Sequence, residues 1–281
     1  MAPPTLLAVP NVSEGRDTAR IATLEAIFSR GVSLLDRHSD PDHNRTVFTL
    51  AGDPEALVAA LAGGAAAAVE TIDMRTHEGV HPAIGALDVC PLVWLDPGDR
   101  DVAGSRAGEA AERIGALGIP VFLYGALASG PEHAERAYFR NGGLAELWLR
   151  MEAGELRPDF GPELPHRTGG ATLVTARPPL AAFNVELDAP LDHAKHVAAT
   201  IREGGAEGLP GVRALGLHLH EQDVVQVSTN IEDLTRTTPA DVVRAVQRHA
   251  TVTRAELIAP APEAAFADFP ADVPLRGAPL L

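Results

Sequence analysis

The sequence predicts a mixed α/β protein of two ferredoxin-like subdomains, each built in the order β-α-β-β-α-β, and three observations carry that reading. Strand-like and helix-like hydrophobic periods alternate in this order twice along the chain. Proline, asparagine and aspartate fall at the changes of period, where turns and helix starts need them. Finally, 281 residues with 46% hydrophobic and 22% charged side chains suffice for two cores, which 4% aromatics should leave aliphatic.

The elements follow in order. Leu6 to Val9 reads as a strand that stops at Pro10-Asn11, and Ile21, Leu24, Ile27 and Phe28 mark a helix. Val32 to Asp36 and Thr46 to Leu50 read as strands joined by the turn Asp40-Pro41-Asp42-His43-Asn44. Asp53-Pro54 opens a helix, cap and first-turn proline together, that should run to about Met74. Asp88 to Leu95 closes the first unit as a strand, extended by a helix near Val102 to Leu117, a strand Pro120 to Tyr124 and a helix near Glu132 to Met151. Glu152 to His166 has no period and reads as an ordered connector. Strands at Ala171 to Ala176 and Ala181 to Leu187, a helix Asp192 to Arg202, strands Val212 to Leu219 and Val224 to Val227, a helix Asp241 to Ala250 and a strand Ala255 to Ile258 complete the chain. We place the subdomains at 1–168 and 169–281, with a ligand cleft expected where the two sheets meet.

Charge narrows the function. A net charge of −15 repels a phosphate backbone, so nucleic acid is not an expected partner. Lys195 is the one lysine, so gripping an anionic small molecule would fall to arginines, which bind carboxylates bidentately. Arg45 and Arg75 are the first candidates. The one cysteine, Cys90, excludes an intrachain disulfide and suits a reducing compartment. Met1-Ala2-Pro3-Pro4 lacks the basic start of a signal peptide, and the apolar run Ala56 to Val69 is too short to span a bilayer, so the chain is expected in the cytoplasm, off the membrane.

The stretch His77-Glu78-Gly79-Val80-His81 spells H-E-x-x-H, which on a helix would hold zinc between two imidazoles. Gly79 and Pro82 oppose a helix there, so the pattern is expected in a loop, no metal is expected, and backbone-bonded histidines remain the plain alternative. His218 with His220, and His193 with His196, lack a third ligand. Asp40, Asp42, Asn44 and Arg45 make a polar hairpin that turn chemistry alone explains equally well. Nucleotide loops and the G-x-S-x-G elbow are absent.

Several colinear segments resemble the formiminotransferase family: V-P-N-V-S-E-G-R (Val9 to Arg16), H-N-R-T-V-F-T (His43 to Thr49), I-D-M-R-T-H-E-G-V-H-P-A-I-G-A-L-D-V-C-P (Ile72 to Pro91), P-V-F-L-Y-G (Pro120 to Gly125), D-F-G-P with G-A-T (Asp159 to Thr172), A-F-N-V (Ala182 to Val185) and Q-V-S-T-N (Gln226 to Asn230). The resemblance implies formimidoyl transfer from N-formimino-L-glutamate to N5 of tetrahydrofolate in histidine breakdown, by a homodimer using folate as co-substrate. In that family the histidine before the proline is catalytic, which puts the role on His81. The resemblance puts Gly161, Pro162, Gly169 and Gly170 on the folate, and the matched segments add Asn11, Asn44 and Asn184 as substrate contacts. Ala83 stands where members carry arginine and Val80 where they carry glutamate. Two alternatives stand beside this reading, a related folate-dependent or amidine-cleaving enzyme with another donor and a folate-binding protein without turnover. For His81 an ordinary imidazole pKa of ~6.5 is expected, with a rate that climbs through pH ~6–7.

Overall fold

The computed structural model describes residues 5–280, so the Met1-Ala2-Pro3-Pro4 terminus lies outside the described residues. The chain divides into two compact units, one reaching Pro178 and one starting at Pro179.

The first unit runs β1 (Leu6–Ala8), β2 (Asn11–Val12), α1 (Thr18–Phe28), β3 (Ser33–Asp40), β4 (Arg45–Gly52), α2 (Pro54–Thr71), β5 (Leu87–Val93), α3 (Arg100–Ala116), β6 (Val121–Leu123), α4 (Arg136–Arg140), α5 (Gly143–Glu152) and β7 (Thr172–Arg177). Pro10 cannot donate to a ladder, so one strand becomes two, β1 and β2, both lying between β4 and β5. With β3 on the outer side of β4, these strands give the expected ferredoxin-like arrangement. Beyond β5 the sheet continues with β7 and then β6, both parallel. Such strands are covered on both faces, which explains why β5 is buried at every position instead of alternating. Cys90 and Val174 join the cluster packed by α1, α2 and α3, while Val89 and Leu173 join Phe122, Phe139, Leu147 and Met151 on the opposite face.

Asp17 caps α1 by accepting from the amides of Ala19 and Arg20, both at 3.0 Å. Asp53 caps α2 in the same way, with Pro54 in the first turn. The helix expected from Glu132 to Met151 is instead a 3-10 turn at Pro131–Ala134 followed by α4 and α5. The break comes at Gly142 and Gly143, whose φ of 76° and 71° no right-handed helix contains.

The second unit runs β8 (Ala181–Asp188), α6 (Leu191–Ile201), β9 (Val212–Leu219), β10 (Val224–Ile231), α7 (Pro239–Gln247), β11 (Thr251–Leu257) and β12 (Leu275–Gly277). Its sheet order, β12-β11-β8-β10-β9, is the ferredoxin-like order with β12 added at one edge. One sheet face meets α6 and α7 through Phe183, Val185, Val197, Ile201, Val227, Val242 and Val246. A capping box between Thr238 and Asp241 starts α7. The strand expected at Ala171 to Ala176 is β7, which pairs with β5 and β6 and so belongs to the first unit. Hence the division falls after Pro178 rather than after Thr168.

Among the described residues, no helix is long and apolar enough to cross a membrane.

Candidate functional site in the first unit

Three segments meet at one end of the first sheet: the loop after β2, the β3–β4 hairpin turn, and the loop between α2 and β5 that carries His81. Asn44 joins them. Its side-chain oxygen accepts from the Gly15 amide (2.9 Å), and its amide donates to Nδ1 of His77 (3.3 Å) and to the carbonyl of Glu78 (3.1 Å). To do this it adopts a φ of 47°, which asparagine tolerates better than most residues. The Val80 amide donates to the Asp42 carbonyl (3.0 Å), and Thr46 Oγ1 to the Glu14 carbonyl (2.6 Å). Gly79 is required by this docking, since a Cβ there would lie 2.4 Å from the His43 carbonyl oxygen. The H-E-x-x-H stretch is therefore an irregular loop, and among the described residues no group of three or more His, Cys, Asp or Glu is placed to hold a metal ion.

His81 is half-buried in this corner, its ring centroid 5.6 Å from that of the buried His43. Its Nδ1 lies 2.9 Å from the Pro82 carbonyl oxygen. A carbonyl only accepts, so Nδ1 carries the proton and Nε2 keeps its lone pair. Burial, then the guanidiniums of Arg45 and Arg140, His43 and Arg136, hold the imidazole well below the usual 6.5. The expectation of an unperturbed imidazole is thus corrected, and His81 is neutral at pH 7. Burial and then Arg45 likewise push His43 down to about 4. Burial, with the Arg140 charge next, lowers Arg45 to about 10, which leaves it fully charged at neutral pH.

Arg140 and Arg136 were not expected from the sequence. Arg140 donates to one carboxylate oxygen of buried Asp88, whose other oxygen accepts the Ile84 amide (2.8 Å). The clamp ties α4 to the loop that follows His81. Arg136, one helical turn earlier, lies with its guanidinium carbon 5.8 Å from the centroid of the Tyr124 ring.

The expected contacts divide. Asn44 and Arg45 belong to this corner. Gly169 and Gly170 reach the same loop through the main chain, with the Ala86 amide donating to the Gly169 carbonyl (2.9 Å) and a bridge between Gly85 and Gly170. Gly161 and Pro162 are exposed beside the Phe160–Val121 bridge, where the Asp159 carboxylate accepts the Leu123 amide (2.7 Å). Asn11 lies on β2 between Val47 and Val89 and spends its amide on the Val9 carbonyl (2.8 Å). Arg75 is exposed and bonded to Asp73 (2.9 Å), a bond that holds the Asp73 carboxyl at about 2. Asn184 lies in the second unit, buried on β8 between Ser228 and Glu256.

Residues 5–177 match the model of the formiminotransferase domain, N-terminal subdomain, and residues 182–263 match that of the formiminotransferase domain. The glutamate formimidoyltransferase of Streptococcus pyogenes serotype M1 is 39% identical over 226 residues, 79% of this chain and 76% of that protein. Its namesake in Thermoplasma acidophilum is 37% identical over 235 residues, covering 82% and 77%. The formimidoyltransferase-cyclodeaminase of Rattus norvegicus is 36% identical over 250 residues, 86% of this chain, which spans about half (46%) of that longer protein. With both subdomain models matched in order on either side of the division after Pro178, the chain belongs to the formiminotransferase family.

Proposed function

We propose that this protein transfers a formimidoyl group from N-formimino-L-glutamate to N5 of tetrahydrofolate, giving L-glutamate and 5-formimidoyltetrahydrofolate. The observation that carries the reading is the His81 imidazole, held neutral with its lone pair on Nε2 in a corner rich in arginine. As the amidine carbon bonds to N5, Nε2 accepts the proton that N5 loses. The resulting imidazolium gives this proton to the glutamate nitrogen as the old C–N bond breaks, which restores the starting imidazole. The guanidiniums that suppress protonation of the free enzyme are offset once an anionic substrate arrives, so substrate binding itself raises the basicity of Nε2 when a base is needed. Gly161 to Gly170 is the expected folate-contact segment, supported by the main-chain bonds that tie Gly169 and Gly170 to residues 84–86. The family resemblance supports a homodimer, and the single buried cysteine suits the cytoplasm.

A steady-state assay that follows glutamate release from formiminoglutamate and tetrahydrofolate tests this. His81→Ala should lose about 10²–10⁴ in kcat while tetrahydrofolate binding, read by calorimetry, stays within about twofold. For the unaltered enzyme the acid limb of kcat/KM should lie below pH 6.5, since burial and then the positive neighbours disfavour the imidazolium. Folate binding without glutamate release would leave a binding protein, and release from a different amidine alone would change the donor.

A further inference from the structure

We propose that Arg45, Arg136 and Arg140 form a carboxylate-binding subsite beside His81 that holds the acidic amino-acid part of the donor and thereby selects it. The inference rests on the transferase reading above and adds the residues that would read its substrate. Arg45 opens β4 at the end of the sheet where His81 lies. The next residue, Thr46, opposes Val12, which opposes Leu87, so Arg45 and Asp88 lie near one end of the sheet, two strands apart and one residue to either side of that level. Asp88 fixes Arg140 there, with side chains only 2% and 11% exposed. One carboxylate does not use up the guanidinium fork, because Nε of Arg140 is buried with no hydrogen-bond partner among the described residues. Arg136 shares a face of α4 with Arg140, and its position against Tyr124 limits where it can reach. Neither Arg136 nor Arg45 has a carboxylate partner within ion-pair distance among the described residues, although both are half-buried. Asp88 and Asp40 are the acidic groups that act on Arg45, against the charges of Arg140 and Arg136. Half-buried guanidiniums with open donors, in a protein of net charge −15, suit a small dicarboxylate.

Chain length decides which substrate this is. In an N-formimino amino acid the carboxylates lie only a few bonds from the amidine carbon that reacts at His81. Those of a folate lie beyond the p-aminobenzoyl ring, far from N5. Charges next to the base therefore face the donor.

Calorimetry with L-glutamate and glutarate, together with separate KM values for formiminoglutamate and tetrahydrofolate, tests the subsite. Arg136→Gln and Arg45→Gln should each weaken glutamate binding and raise the donor KM about ten- to a hundredfold, the usual worth of a charge-assisted bond. The tetrahydrofolate Kd should move less than about twofold and the melting temperature should hold. The preference for formiminoglutamate over an N-formimino alkylamine without carboxylates should fall in parallel. Unchanged glutamate binding and donor KM in both variants would overturn the proposal, as would an equal loss of tetrahydrofolate affinity, which would assign the arginines to the folate tail. Arginine-dependent glutamate binding by a protein that turns over no formimino donor would keep the subsite and reject the transferase reading.

Discussion

In both units the hairpin between the second and third strands of the β-α-β-β-α-β frame ends on a non-glycine residue with positive φ. Asn44, at 47°, directly precedes β4, and Asp223, at 50°, directly precedes β10. In the first unit that residue binds three neighbouring segments together. In the second, the Asp223 carboxylate is 93% exposed and meets His218 (3.1 Å). The connections after the second helix differ in the same sense. Residues 72–86 separate α2 from β5 and carry His77, His81 and Pro82, whereas residues 248–250 lead directly from α7 into β11. One backbone frame thus occurs twice, and the candidate chemistry depends on a loop that only one copy carries, docked on a hairpin shaped to receive it.

The largest contrast expected is catalytic. Against the loss set out above for His81→Ala, the double substitution His218→Ala with His220→Ala, on the second hairpin, should leave kcat within about twofold, the range of a surface change. A comparable loss there would mean that the second hairpin takes part in turnover. Next comes stability against pH. His43 titrates near 4 in the folded chain and near 6.5 unfolded, so between those values the unfolded chain binds a proton that the folded one refuses. Unfolding free energy should therefore fall as pH drops from 6.5 to 4, by on the order of 3 kcal/mol from His43 alone. Denaturant melts across this window should show the slope, to which the depressed His81 also contributes, and His43→Gln should reduce it; an unaltered slope would place the proton uptake elsewhere. The smallest contrast compares the two turn residues. Asn44→Gly relieves the positive φ but deletes three hydrogen bonds, for a net loss of about 2 kcal/mol, whereas Asp223→Gly should stay within about 0.5 kcal/mol. Equal effects would show that Asn44 serves the turn alone.

Much of the frame was legible because its punctuation is chemical. Asp53-Pro54 marks the start of α2, and the prolines and polar residues of the first hairpin mark its turn. β2 and β12 were missed since two or three residues carry no period to detect. At the site, His81, Asn44 and Arg45 were accessible as neighbours in contiguous motifs. Arg140 was not, because the carboxylate that fixes it lies 52 residues away in the chain. Its signal was present in Asn141-Gly142-Gly143, which ends a helix and leaves Arg136 and Arg140 one turn apart on a short one. Arg75 shows the opposite case. Nearness to His81 in sequence put it forward, while in space its partner is Asp73, two residues away.

Cys90 lies fully buried in β5, two residues beyond the carboxylate that clamps Arg140, and burial pushes its thiol up to about 12. Almost no thiolate exists there at neutral pH, so maleimides and disulfide reagents should pass it by while the chain is folded. The native protein thus behaves toward such reagents as if it had no cysteine. A single cysteine introduced at an exposed site such as Glu163 would take a fluorophore or spin label alone. Reaction at Cys90 itself would then report unfolding of the central strand, a clock for opening of the first unit that needs no further engineering.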